Sequence, residues 1–174
     1  MKKSRNKKRK IDKNSKKKSK NKNWKVLLLS LVIVYLVAYL GSLFTSPNTS
    51  SDWYNSIRPS ITPPNRVFPV VWNVLFFLIA LSLYFSWMSS NKLHKTKLFL
   101  LFGTNFLLNI LWTILYFGLK NPSLAFIDIL LLLASIFVLI LFTYHISKKA
   151  SYLLWPYLVW VAFASVLNYL SIQF

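Results

Sequence analysis

The stretch Trp53-Tyr54-Asn55-Ser56-Ile57-Arg58-Pro59-Ser60-Ile61-Thr62-Pro63-Pro64-Asn65-Arg66-Val67-Phe68-Pro69-Val70-Val71-Trp72 sets rigid prolines and large aromatic rings between two membrane-length apolar runs. Proline fixes φ, removes a backbone donor and pushes its predecessor into extended geometry. Pro59 to Pro64 is therefore predicted as a stiff, non-helical connector that holds its shape. Such a connector reads as a lid shaped by Trp53, Pro59, Pro63 and Pro64, and not as a tether.

The chain around it belongs in a membrane. It is 174 residues long, 55% hydrophobic and 17% aromatic, with mean hydropathy +0.46, and a water-soluble domain of that size needs a more polar surface. About 20 residues at 1.5 Å rise cross the hydrocarbon, and five runs reach that length: residues 26–44, 67–88, 98–119, 123–144 and 152–172. Pro69 is tolerated in the first turn of the second run, where its missing amide would be unpaired anyway. Asn121-Pro122 starts the fourth with a cap followed by a proline at the first helical position. Short connections after the lid make the last four helices antiparallel neighbours. The predicted fold is an all-α, five-transmembrane-helix bundle over residues 26–172, preceded by a disordered basic N-terminal tail over residues 1–25.

Charge predicts the orientation. The tail carries 14 Lys and Arg and one acid, Asp12, and Lys92, Lys95, Lys97, Lys148 and Lys149 fall on the same side of the membrane. The lid (Arg58, Arg66) and the third loop (Lys120) hold the remaining three. The positive-inside rule then expects a bacterial or archaeal cell membrane with a cytoplasmic N terminus, an external lid and an external C terminus. A basic run directly before a spanning helix fixes topology and touches anionic lipid, a reading preferred here to nucleic-acid binding. The first run is too long for a signal-peptide core, and no small-residue cleavage site follows it, so it is expected to remain as an anchor.

Few residues are available for chemistry. There is no cysteine, and three acids with two histidines (His94 and His145, both near membrane ends) cannot assemble paired carboxylates, a Ser/His/Asp set or a metal cluster. Hydrolytic catalysis is disfavoured and no metal is expected. Polar groups inside the apolar runs are few: Asn73, Asn105, Asn109, Asp128 and Asn168. Interhelical hydrogen bonds, each worth about 0.6–2 kcal/mol, account for Asn73 and Asp128, while the Asn105/Asn109 face is open to a ligand-facing role as well. Aromatic residues form the second constellation. Trp24, Trp87 and Trp155 fit an interfacial belt, whereas Trp72 and Trp160 lie inside their runs, where a flat cavity wall explains them better.

These residues resemble a known family. Trp53-Tyr54, Arg58-Pro59-Ser60, Pro63-Pro64, Val67-Phe68 and Trp72-Asn73-Val74-Leu75 are similar to the signature of the TspO/MBR family, the tryptophan-rich sensory proteins related to mitochondrial translocator protein. Asn105-Phe106-Leu107-Leu108-Asn109 with Trp112 and Phe117-Gly118-Leu119 looks like its third helix, and Ala125 to Leu131 around Asp128 like its fourth. Pro156 to Ala164 with Leu167-Asn168 looks like its fifth, so the resemblance covers about residues 26–172.

The resemblance implies a five-helix bundle, often dimeric, with a pocket beneath the first loop for porphyrins, other tetrapyrroles and, in some members, sterols or synthetic drugs. By position, Tyr54, Trp72, Phe76, Asn105, Trp112, Trp160 and Ala164 fall where the family lines that pocket. Trp72 and Trp160 match positions implicated in light-dependent porphyrin breakdown. Porphyrin or haem enters as ligand and not as cofactor; the other expected partners are membrane lipid, anionic lipid at the tail and, as the resemblance allows, a second copy of the chain. The lid is one residue shorter than the common pattern, and Ile61 and Arg66 replace frequent aromatics. No Lys or Arg follows Tyr169, so the sterol-recognition pattern is incomplete. The expected function is a sensory or regulatory membrane protein that binds tetrapyrroles. The alternatives are light-dependent porphyrin degradation and transport of lipophilic molecules.

Overall fold

The computed structural model describes residues 23–173. The disorder expected over residues 1–25 lies outside the described residues as far as residue 22; residues 23–25 already belong to the first helix. All regular structure among the described residues is helical. Five segments are long and apolar enough to span a membrane: α1 (Asn23–Thr45), α3 (Val67–Ser89), α4 (Lys92–Thr113, extended by a wider turn to Gly118), α5 (Pro122–Ile146) and a broken fifth span, α6 (Lys148–Tyr152) followed by α7 (Trp155–Leu170). A short helix, α2 (Asp52–Ile57), lies in the lid. Large apolar side chains such as Leu107 (70% exposed) and Phe99 (69%) face outward, as they do where lipid is the solvent.

Three features depart from the expected boundaries. First, α4 begins at Lys92, six residues before the apolar run, because the Asn91 side chain accepts the His94 amide at 2.9 Å and caps it. The three lysines expected in a loop are helical, and Lys95 lays its ammonium 5.5 Å from the Trp87 ring centre while reaching for the interface. His94 and His145 are helical too, His94 meeting Phe142 edge-on and His145 bonding the Leu141 carbonyl through Nδ1 at 2.8 Å.

Second, the fifth span is broken at Leu153-Leu154. Pro156 has no amide to give and stands in the first turn of α7. The break is pinned from both sides: Ser82 Oγ donates to the Ala150 carbonyl at 2.8 Å, tying α3 to α6, and Ser151 Oγ donates to Ile140 at 2.9 Å, tying α6 to α5.

Third, α4 ends in a π-type turn over Ile114–Gly118, closed by the Leu119 amide on the Ile114 carbonyl at 2.7 Å. Widening the turn alters the register of its side chains, and Tyr116 and Phe117 are both buried there. Lys120 then takes a left-handed backbone (φ 52°), which turns the chain back toward Asn121, whose side chain caps α5 on the Leu124 amide at 3.0 Å.

The core centres on Leu98, Phe102, Ile129, Ile136, Leu139, Leu154 and Tyr157, all nearly solvent-free. A second cluster of Tyr54, Tyr116, Phe117 and Ala125 sits at the lid end.

Candidate ligand cavity

At the lid end the helices do not close on one another. They surround a cavity of about 480 Å³, within the range of small-molecule sites, with the lid as roof and α1, α3, α4 and α7 as walls.

The roof is built by local rules. Ser51 caps α2 by accepting the Tyr54 amide at 3.2 Å, and this short helix was not foreseen in the connector. Pro59 to Pro64 is non-helical, as expected, and carries a turn in which the Thr62 amide bonds the Pro59 carbonyl at 3.0 Å. Arg58 clasps this segment: Nη2 donates to the Pro63 carbonyl at 2.6 Å and to Thr62 at 3.4 Å, with the guanidinium 5.9 Å from the Tyr54 ring centre. Asn65 Nδ2 bonds the Thr49 carbonyl at 3.0 Å. Trp53 meets Tyr116 edge-on at 5.9 Å and Tyr54 meets Phe117 at 5.6 Å, so the roof is docked on the π turn of α4. Burial pushes the Tyr54 hydroxyl above its ordinary range, and the nearby Arg58 charge offsets part of that rise.

The walls are aromatic. Trp72 stacks on Phe76 (5.2 Å, 30° between planes) and meets Tyr157 edge-on at 6.2 Å. Trp160 leans on Phe68 at 5.7 Å and Phe163 at 5.6 Å, and Trp112 stacks on Tyr116 at 5.1 Å. Hydrogen bonds hold several rings in place. Trp112 Nε1 donates to Asn168 Oδ1 at 2.9 Å, and Asn168 Nδ2 donates to the Pro122 carbonyl at 2.8 Å, joining α4, α5 and α7. Tyr116 and Ser171 share a hydroxyl pair at 2.8 Å.

Of the residues selected from the sequence, Tyr54, Trp72, Phe76, Trp112, Trp160 and Ala164 all line this one cavity. Asn105 does not. It is fully buried, donating to Ser135 Oγ at 2.8 Å and accepting the Tyr157 hydroxyl at 3.3 Å. Its neighbour one turn on, Asn109, does line the cavity and bonds the same hydroxyl at 3.2 Å. In the lid, Pro59 faces the cavity, while Trp53, Pro63 and Pro64 shape the roof from outside the lining.

The structural polar residues divide as well. Asn168 cross-links helices, but the Asn73 side chain, at the cavity's exposed margin, bonds only the Pro69 carbonyl of its own helix, one turn back, at 2.9 Å. Asp128 makes no cross-link: both carboxylate oxygens are buried with no donor in reach among the described residues. The indole Nε1 of Trp160 is likewise buried without a partner. No group of three His, Asp or Glu side chains able to hold a metal occurs among the described residues.

Sequence reasoning missed the α1 wall. Tyr35, Ala38, Tyr39 and Ser42 line the cavity, and their i, i+3, i+4, i+7 spacing of small and hydroxylated residues in a Leu/Val helix was the available signal.

Five spans around an aromatic cavity roofed by a proline-rich loop define a multi-pass, tryptophan-rich integral membrane protein. The TspO/MBR family pattern matches residues 29–173, and the chain belongs to that family. It is 40% identical over 144 residues to tryptophan-rich protein TspO of Archaeoglobus fulgidus, covering 82% of this chain and 92% of that one. The same-named protein of Chlorobaculum tepidum is 36% identical over 155 residues, with 88% and 98% covered. The translocator protein of Bos taurus is 29% identical over 137 residues, with 77% and 80% covered.

Proposed function

We propose that this protein binds porphyrin or a related flat tetrapyrrole in the cavity beneath the lid, and acts as a sensory or regulatory membrane protein. The observation that carries this reading is a cavity walled by Trp72, Trp112 and Trp160, with amide and hydroxyl side chains such as Asn109, Thr113 and Asn168 set between the rings. Extended π surfaces hold a planar ligand by stacking, and neighbouring amides such as Asn109 orient its polar edges. The ligand is cargo or signal, not a cofactor. Titration of the detergent-purified protein with protoporphyrin tests this: saturable, stoichiometric quenching of Trp fluorescence is expected. A Trp72→Ala/Trp160→Ala double variant that binds as tightly as the parent would overturn the site.

A second reading is light-dependent porphyrin degradation. Trp72 favours it, since its ring touches both Phe76 and Tyr157 and is placed to exchange an electron with an excited ligand in the cavity. Illumination of the protoporphyrin complex decides between the two: products that form unchanged with Trp72→Phe and Trp160→Phe remove the tryptophans from such chemistry. Transfer of lipophilic molecules remains the third reading, tested by saturable porphyrin movement into liposomes.

The basic residues support a cytoplasmic N terminus and an external lid in a bacterial or archaeal cell membrane, with anionic lipid at the basic end. Labelling of single-cysteine variants at Ser60 and Ser89 from outside intact cells tests the orientation. Only Ser60→Cys is expected to react.

A further inference from the structure

The cavity has two boundaries toward the outside, and they are built differently. Toward water stands the lid. Its roof is held by the Arg58 bonds to Pro63 and Thr62, the Asn65 bond to Thr49, and the packing of Trp53 and Tyr54 on Tyr116 and Phe117. Of the lid residues that line the cavity, Tyr54 and Pro59 are buried and Thr62 is half-buried, while Asn65 is exposed but tied down by its 3.0 Å bond to the Thr49 carbonyl.

Toward lipid stands the seam between α1 and α3. Tyr39 lines the cavity and is nevertheless 60% exposed, and Tyr35, one turn below, is 39% exposed. Asn73 of α3 also lines the cavity and is exposed. Tyr35, Tyr39 and Asn73 thus belong to both the cavity and the outer surface, and, unlike Asn65 in the lid, none of their side chains is held to the facing segment by a short hydrogen bond. The one hydrogen bond recorded across this seam, from the Tyr35 hydroxyl to the Asn73 carbonyl, is 3.5 Å long, at the limit for such a bond. Tyr39 lies six residues before the end of α1, about 9 Å down the helix from its lid end at 1.5 Å per residue, inside the lid-side leaflet. Two phenols, Ser42 and an amide are an unusual facing for hydrocarbon, where polar groups line paths and cavities and otherwise stay hidden.

We propose that the α1/α3 seam is a lateral portal, through which the ligand passes between the cavity and the lid-side leaflet without lifting the lid. This rests on the reading of the cavity as a ligand site and narrows the ligand's chemistry. The ligand is an amphiphile that partitions into the bilayer, with a flat apolar body and a polar edge. The body slides between the helices while the edge follows the Tyr35 and Tyr39 hydroxyls and the Asn73 amide. The proline-rich lid is then a fixed roof.

The test is kinetic, because a portal changes the rates in both directions. The protein is placed in nanodiscs, and protoporphyrin binding and release are followed by stopped-flow Trp fluorescence. Tyr39→Ala, which opens the seam, is expected to speed association and dissociation together by about fivefold, and Ser42→Phe, which narrows it, to slow both by a similar factor. Arg58→Ala, which unclasps the lid, is expected to leave both rates near the parent's. The portal is overturned if Arg58→Ala accelerates both rates while the seam variants do not. Thermal melts of each variant identify any that has lost its fold, and Tyr39→Val, which still shortens the side chain but keeps an apolar contact, serves in place of Tyr39→Ala. If the parent shows no saturable binding of protoporphyrin, the ligand reading itself falls, an outcome distinct from lid-controlled binding, which rejects the portal alone.

Discussion

Trp112 and Asn168 meet through a 2.9 Å hydrogen bond from the indole Nε1 to the amide Oδ1, and the same amide donates from Nδ2 to the Pro122 carbonyl at 2.8 Å. One buried side chain thus fixes a cavity ring, the start of α5 and the end of α7. Asn168→Leu strands an indole N–H and a carbonyl in a dry site, so a stability loss of about 1–3 kcal/mol is expected. Trp112→Phe removes the donor as well, and the double variant should show a coupling of about 0.6–1.7 kcal/mol by SDS-titrated unfolding. Additive losses would mean the bond contributes nothing.

Asn105 and Asn109 share the Tyr157 hydroxyl, but only Asn109 reaches the cavity. Both Leu substitutions should lower stability by about 1–2 kcal/mol, since each leaves hydroxyl partners unpaired. Their effects on protoporphyrin binding should differ: less than about threefold in Kd for Asn105→Leu, and about tenfold for Asn109→Leu, which removes a polar group from the wall. Equal shifts in Kd would place Asn105 at the ligand.

The spans were legible because the hydrocarbon imposes a length on any helix that crosses it, and the start of α5 because Asn121-Pro122 is a local signal complete in two residues. The start of α4 was hidden, since Lys92, Lys95 and Lys97 lower the hydropathy of a turn that Asn91 nonetheless caps. The break after Tyr152 was hidden for another reason: Pro156 tolerates either a straight or a broken helix there, and serines from other turns decide. In the site, the tryptophans stood out against their runs and against the family pattern. Asn105 and Asn109 share a helix face, so sequence spacing could not separate them; the Ser135 hydroxyl of α5, which takes the Asn105 amide while Asn109 reaches the cavity, does. The α1 wall escaped notice because its mean composition is that of a lipid-facing helix.

Arg58 closes the lid on itself by binding two carbonyls five and four residues ahead. Its loss should free the turn it encloses. In Arg58→Gln, the amides of Thr62 and Val67, bonded to Pro59 and Pro64 at 3.0 and 2.9 Å, are expected to exchange with deuterium about tenfold faster. The melting temperature should barely move, since the five spans do not depend on the clasp. Arg58→Lys should fall between, because a single ammonium on a flexible stem keeps the charge but lacks the rigid planar group that holds Nη2 between the two carbonyls. Unchanged exchange in Arg58→Gln would show that prolines alone hold the roof.

Gly118 ends the π turn where α4 approaches α1, and a Cβ there would lie 3.1 Å from Phe44 Cδ1. Phe44 packs against the cluster that holds Tyr54, so the displacement would pass to the roof. Gly118→Ala is expected to cost about 1–3 kcal/mol as overpacking and to weaken protoporphyrin binding along with it. Phe44→Leu removes the ring that is struck, so Gly118→Ala/Phe44→Leu should be more stable than the sum of the two single losses allows. If the double variant only adds the losses, the defect lies in the backbone of the turn instead of in the contact with α1, and melts of the three variants in one detergent distinguish the two.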